Sequence, residues 1–161
     1  MDNEKTVLFL GDFAENYNFV IQDEIQSFHW VNLQCTLHLV VVYFKNEDKL
    51  CHLSFCVLSN DMNHDVCMVY AVQQAIIKEL KEMLPWVSNM EYFSDGCAGQ
   101  YKNRKNFKNL CLHKQDFGLD AEWVFFATSH GKSPCDGIGG TVKWATAKTS
   151  LQRPLSNQML Q

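Results

Sequence analysis

The chain opens with short, nearly continuous apolar runs and later changes to apolar positions spaced three and four apart. Thr6–Leu10 (TVLFL), β-branched and apolar and closed by Gly11, predicts a buried strand with Asp12 at its carboxyl end. Trp30–Phe44 and Leu50–Leu58 predict two further strands joined by the polar turn KNEDK, the signature of an antiparallel hairpin. In the second of these, His52, Ser54 and Cys56 alternate with Leu53, Phe55 and Val57. Val69, Val72, Ile76, Leu80 and Met83 then recur at helical spacing, with Asp61, Asn63 or Asp65 available as the cap and Pro85 forbidding continuation. Glu91–Ser94 predicts a short strand ending at Asp95 and Gly96. A second helix is expected over Tyr101–Phe117, closed by Gly118, although Asn103, Asn106 and Asn109 lower its propensity. Ala121–Thr128 reads as the fifth strand. After the glycine-rich stretch SHGKSPCDGIGG, Asp136 is placed to cap a last helix through about Ser150, before Pro154.

The order strand, hairpin, helix, strand, helix, strand, helix predicts an α/β fold: a five-stranded mixed sheet, its first three strands antiparallel, flanked by helices. An all-parallel dinucleotide-binding sheet fits poorly, because the hairpin stands where the first crossover helix would be. At 161 residues, with no repeat or linker-like stretch, residues 1–161 read as a single domain, whole or as part of a longer protein. The longest apolar stretch, Leu37–Phe44, is broken by His38 and falls short of the roughly 20 residues that cross a bilayer. Met1–Lys5 is polar and acidic and leads into few apolar residues, unlike a secretory signal, so the expected location is intracellular, away from membranes. Seven cysteines without a CxxC pair read as reduced thiols, and Cys51, His52, Cys56, Cys111 and His113 lack the spacing of a four-ligand zinc site.

Charge changes the picture. The net value of -4 conceals an asymmetry: residues 1–95 hold 14 acidic and 5 basic side chains, and residues 96–161 hold 4 acidic and 9 basic. A basic half suggests a surface that meets nucleic acid. Its densest part is QYKNRKNFKN, with Lys102, Arg104, Lys105 and Lys108 interleaved with Tyr101 and Phe107, and Lys132 and Lys143 follow. A solvated helix face would carry the same charges, so this cluster has two readings of similar weight.

Three aspartates share one address in the predicted order: Asp12 after the first strand, Asp95 after the fourth, and Asp136 beyond the fifth. Ligands of open sheets gather at the carboxyl ends of strands, so these acids can meet although they are far apart in sequence. Crowded carboxylates repel one another unless a hard divalent cation lies between them. Two Mg²⁺ or Mn²⁺ ions about 3.5–4 Å apart would activate a water or hydroxyl for phosphodiester chemistry and steady the leaving oxygen. Singly, an Asp beside Gly more often closes a turn or caps a helix. The triple placement, together with the basic half, favours the metal site.

The strand and acid order resembles the RNase H-like fold of Asp-Asp-Glu/Asp transposases and retroviral integrases. The strings DFAENY, SDGCAGQYKNRKNF and SHGKSPCDGIGGTVK resemble transposon-derived proteins of animals, over roughly Thr6 to Pro154. The resemblance implies catalytic, metal-binding acids at Asp12, Asp95 and Asp136, metal-dependent DNA cleavage or strand transfer, and a nuclear location. It leaves a homo-oligomer open. The third acid departs from the family's usual Glu and lies in a glycine-rich stretch, with Glu15 or Asp61 as substitutes. No zinc finger or helix-turn-helix accompanies it, so a domesticated domain that binds nucleic acid or protein without catalysis is the alternative.

Other chemistries fit less well. Gly131, Lys132 and Ser133 end like a P-loop, but Phe126 stands where its first glycine is required. Cys135 near His130 is the only local nucleophile and base, and His130 serves equally as a loop hydrogen-bonder.

Overall fold

The computed structural model describes residues 5–14, 16–19, 34–126 and 133–152. Its centre is β1 (Thr6–Phe13), which pairs antiparallel with β3 (Gln34–Asn46) and parallel with β5 (Asn89–Ser94). β4 (Lys49–Ser59) pairs antiparallel with the other edge of β3, and β6 (Asp120–Phe125) pairs parallel with β5. The expected hairpin and the antiparallel arrangement of the first three predicted strands are therefore present. A sixth strand, β2 (Tyr17–Asn18), was not foreseen: Tyr17 pairs with Cys35 and Asn18 with Gln34. The sheet thus has six strands rather than five. Two residues are too few to leave a period-two pattern, and β2 owes its place to β3. From Phe13↔His38 to Tyr17↔Cys35 the chain advances one residue more than its partner, so β2 continues β1 after a bulge-like slip.

Three helices cover this sheet: α1 (Val66–Met83), α2 (Arg104–Phe117) and α3 (Pro134–Gln152). Of the three caps proposed for α1, Asp65 serves, its carboxylate accepting from the amides of Cys67 and Met68 at 2.9 and 3.0 Å. α2 starts three residues later than expected because Asn103 is its cap, accepting from Asn106 N at 2.9 Å, and Tyr101 is drawn into the core instead. Gly118, at φ 69°, ends α2 in the left-handed conformation that disfavours a side chain. α3 takes in part of the glycine-rich stretch, so Asp136 lies inside its first turn rather than ahead of it.

Alternation along the strands separates two layers. Val7, Phe9, Val40, Val42, Met90 and Tyr92 meet Val72, Ile76, Ile77 and Leu80 of α1 and Phe117 of α2. Leu10, Leu39 and Val41 face the opposite way, towards Cys135 and Ile138 of α3. α3 comes very close to β3 at Gly139, where a Cβ would stand 2.8 Å from Leu39 Cδ1. Among the described residues no helix is long and apolar enough to cross a membrane.

Candidate functional site

Strand register brings the first two acids together. β1 and β5 pair in parallel from Thr6↔Asn89 to Leu10↔Phe93, which brings Asp12, two residues further along β1, and Asp95, just past the end of β5, to the same end of the sheet. Adjacent strands are about 4.8 Å apart, and neighbours in a parallel pair point to the same face. By alternation Asp12 lies on the face of Leu10, which α3 partly covers. Asp95 is exposed, and its carboxylate accepts from Cys97 N at 3.0 Å, bending the chain away from β5.

The third acid arrives from α3. Ser133 N donates to Asp136 Oδ2 at 3.0 Å, while Ser133 Oγ accepts from Cys135 N at 3.2 Å. Ser133 thus stands in the capping position expected of Asp136, and Asp136 supports that cap by reaching back from the first turn. It also lies near enough to act on Asp12. The half-buried Asp12 carboxyl is pushed up to about 6, first by loss of solvent and then by the charges of Asp95 and Asp136. Hydrogen bonds from the Phe13 backbone and the Ser133 side chain oppose the rise. All three aspartates thus share one electrostatic neighbourhood at the carboxyl edge of the sheet.

A cleft of about 350 Å³ opens there, lined by Asp12, Phe13, Ala14, Leu39, Cys135, Asp136, Gly139, Gly140 and Lys143. Asp136, Gly139, Gly140 and Lys143 follow the helical spacing of one side of α3, giving a strip about 10 Å long from carboxylate to ammonium. Gly139 is buried against Leu39, whereas Gly140 is exposed with open space where a side chain would stand. Cys135 is buried, with Sγ 3.7 Å from Leu10 O and 3.8 Å from Leu39 O. Burial pushes its thiol up to about 11, the neighbouring acids adding to the effect, so it remains protonated and is a poor nucleophile.

Hard carboxylate oxygens in a cleft suit Mg²⁺ or Mn²⁺ better than a softer metal. The side chains do not already close around one ion, however: among the described residues no group of three or more His, Cys, Asp or Glu forms a ligand set. Asp61, a proposed substitute, accepts from Asn63 N at 3.0 Å in a turn beyond β4, two strands from Asp12. Glu15, the other substitute, lies outside the described residues, as do His130, Gly131 and Lys132.

The basic residues divide. Lys102, Arg104, Lys105 and Lys108 are exposed around the start of α2, and Lys143 is half-buried in the cleft on α3. Lys102 links the first group to the acids, because a Cβ on Gly96 would stand 3.9 Å from its side chain.

Sequence reasoning missed the part played by Tyr101. Its amide donates to Cys97 O at 2.8 Å, and its fully buried ring packs against Phe13 and Trp123, fastening the loop after Asp95 to the end of β1. Its hydroxyl is 3.1 Å from Nε2 of the buried His38. Burial raises the phenol, with Asp12 and Asp95 next among the causes, and burial holds His38 neutral, pushed down to about 3. One aromatic residue in a polar, glycine-bearing run was the available signal.

Comparison with curated proteins finds no match, and comparison with solved structures finds none either. A family model described as a domain of unknown function, DUF8701, matches residues 2–161. Covering nearly the whole chain, that match makes this protein a member of the DUF8701 family.

Proposed function

We propose that this domain carries out metal-dependent cleavage or strand transfer at DNA phosphodiesters, on an RNase H-like scaffold of transposase type. The observation that carries the reading is the meeting of Asp12, Asp95 and Asp136, from β1, β5 and α3, at one edge of the sheet. Support also comes from the mixed sheet, whose strand and acid order underlies the resemblance to that fold. The three carboxylates would hold Mg²⁺ or Mn²⁺, which would supply Lewis-acid activation of the attacking oxygen and stabilise the leaving one. Asp12 and Asp95, at the same end of the sheet, would hold the reacting phosphate's oxygens through that charge. Lys143, two turns along α3, would take a neighbouring phosphate, and the exposed Gly140 would let the strand approach the helix backbone. Lys102, Arg104, Lys105 and Lys108, together with Lys132, would add phosphate contacts on either side. DNA as substrate would place the protein in the nucleus.

The second reading is a nucleic-acid-binding domain without catalysis, favoured by the lack of a closed three-residue ligand set among the described residues. A labelled DNA substrate incubated with Mg²⁺ or Mn²⁺ separates the two. The catalytic reading predicts cleavage by the parent and loss of at least about 100-fold in Asp12→Asn and Asp95→Asn, with the fold retained. DNA binding that persists without cleavage under either metal establishes the second reading instead.

A further inference from the structure

The carboxyl end of β6 carries a run of aromatic rings beside the acidic edge, and the function proposed above does not use it. Phe125 faces α2: the Phe107 ring lies edge-on to it at 6.1 Å, and Lys102 Nζ stands 5.6 Å from its centroid. The next residue, Phe126, projects to the other face, 6.0 Å from Phe93. Phe93 is two residues before Asp95, so the rings lead to the acidic cleft. Phe107 is 42% exposed and Phe126 40%, a large apolar area for two side chains on one rim.

The charge around these rings says what would cover them. Arg104, Phe107 and Lys108 occupy one side of α2 by their spacing, and Lys105 is adjacent. These three cations and Lys102 are exposed, and none is paired with a carboxylate among the described residues. An apolar protein partner would leave four cations to be desolvated or neutralised. A polyanion with accessible flat apolar faces satisfies both features. A duplex offers phosphates but conceals its base faces within the stack, whereas unpaired nucleotides offer both.

We propose that the rim formed by Phe107, Phe125 and Phe126, with Lys102, Arg104, Lys105 and Lys108, binds an unpaired stretch of the nucleic-acid strand that enters the acidic cleft. Bases stack on the exposed rings, and the cations follow the phosphates. This rests on the reading of the cleft as a nucleic-acid site and adds that the strand beside it is single.

The test is fluorescence anisotropy of a labelled single-stranded oligonucleotide and a duplex of the same length, in EDTA, across a salt series. The Asp12→Asn protein serves as the starting form, so that catalysis plays no part. Replacing Phe107 and Phe126 by Ala should weaken single-strand binding about tenfold or more, with an unchanged salt slope and duplex binding within about twofold. Phe107→Trp should restore binding to the Phe126-containing form. Changing Lys105 and Lys108 to Ala should instead flatten the salt dependence for both substrates. Equal single-strand binding after loss of both rings overturns the proposal, as does an equal loss for duplex. Concentration-dependent self-association that disappears with the rings, without single-strand binding, would assign the rim to a second copy and also overturn it. Absence of metal-dependent cleavage by the parent protein, measured separately, would sink the catalytic reading and leave this binding result standing.

Discussion

The two faces of the sheet are built to different standards. Under α1 and α2 the layer is deep: Val7, Val40, Val42, Tyr92, Ile76, Ile77 and Leu80 are at most 2% exposed. Most polar groups buried there find partners, His113 meeting Leu119 O at 2.8 Å and Tyr92 Oη at 2.7 Å and Asn106 Nδ2 donating to Tyr101 O at 2.8 Å, while Nδ1 of His38 has none among the described residues. On the α3 face, among the described residues, the buried clusters are smaller, Leu10, Leu39, Val41 and Cys135 and beside them Tyr17, Cys35 and Leu37, and the first two turns of the covering helix carry Gly137, Gly139 and Gly140. Each interior glycine costs a helix about 1 kcal/mol relative to alanine. Asp12 and Asp136 line a cleft on that face, and Asp12 is desolvated and repelled by Asp95 and Asp136. Stability therefore resides on one face, while the other tolerates poor helix formers and like charges. Such local inconsistency marks a functional surface more often than a structural one.

Truncation should break the comparison most visibly. Ile76→Ala, at the centre of the α1 layer, should cost about 3–4 kcal/mol, whereas Ile138→Ala, half-buried under α3, should cost about 1 kcal/mol. Urea melts of both variants check this; equal losses would mean that the faces are equally structural. The acids should respond with the opposite sign. A folded-state Asp12 near 6 lies above the ordinary aspartate value, so the native state binds its proton more tightly than the unfolded chain. Its contribution is favourable below the unfolded value and is lost as pH rises towards 6. Asp12→Asn should thus stabilise the metal-free protein by about 1 kcal/mol at pH 7.5, after discounting for partial solvent screening, and the gain should shrink at pH 4. Melts at the two pH values decide, and a destabilised Asp12→Asn at pH 7.5 would make this aspartate a turn residue.

How much of this was legible in the sequence depended on where each signal lay. The α1 spacing, its Asp65 cap and Pro85, the hairpin turn and the Gly118 stop all act locally, and each appears near its expected position. The nearness of Asp12 and Asp95 was legible for a topological reason, because residues just beyond paired parallel strands come to the same end of the sheet. β2 was not legible, because a two-residue strand exists only through the partner that holds it. The start of α2 was misplaced because Tyr101 fits a helical pattern as well as a buried plug, and only tertiary contacts with Phe13 and His38 decide between them. Asp136 was read as preceding α3, yet its carboxylate reaches back from the first turn, a shift of three residues set by Ser133.

Asp12 is held among like charges, and NMR titration of its carboxyl carbon tests directly whether a divalent cation relieves them. Without divalent metal, Asp12 should titrate near 6, and either Asp95→Asn or Asp136→Asn should lower that value. Millimolar Mg²⁺ should lower it further in the parent, because a bound cation favours the ionised form. An Asp12 that titrates near the ordinary aspartate value, or near 6 with no response to Mg²⁺, would contradict the account.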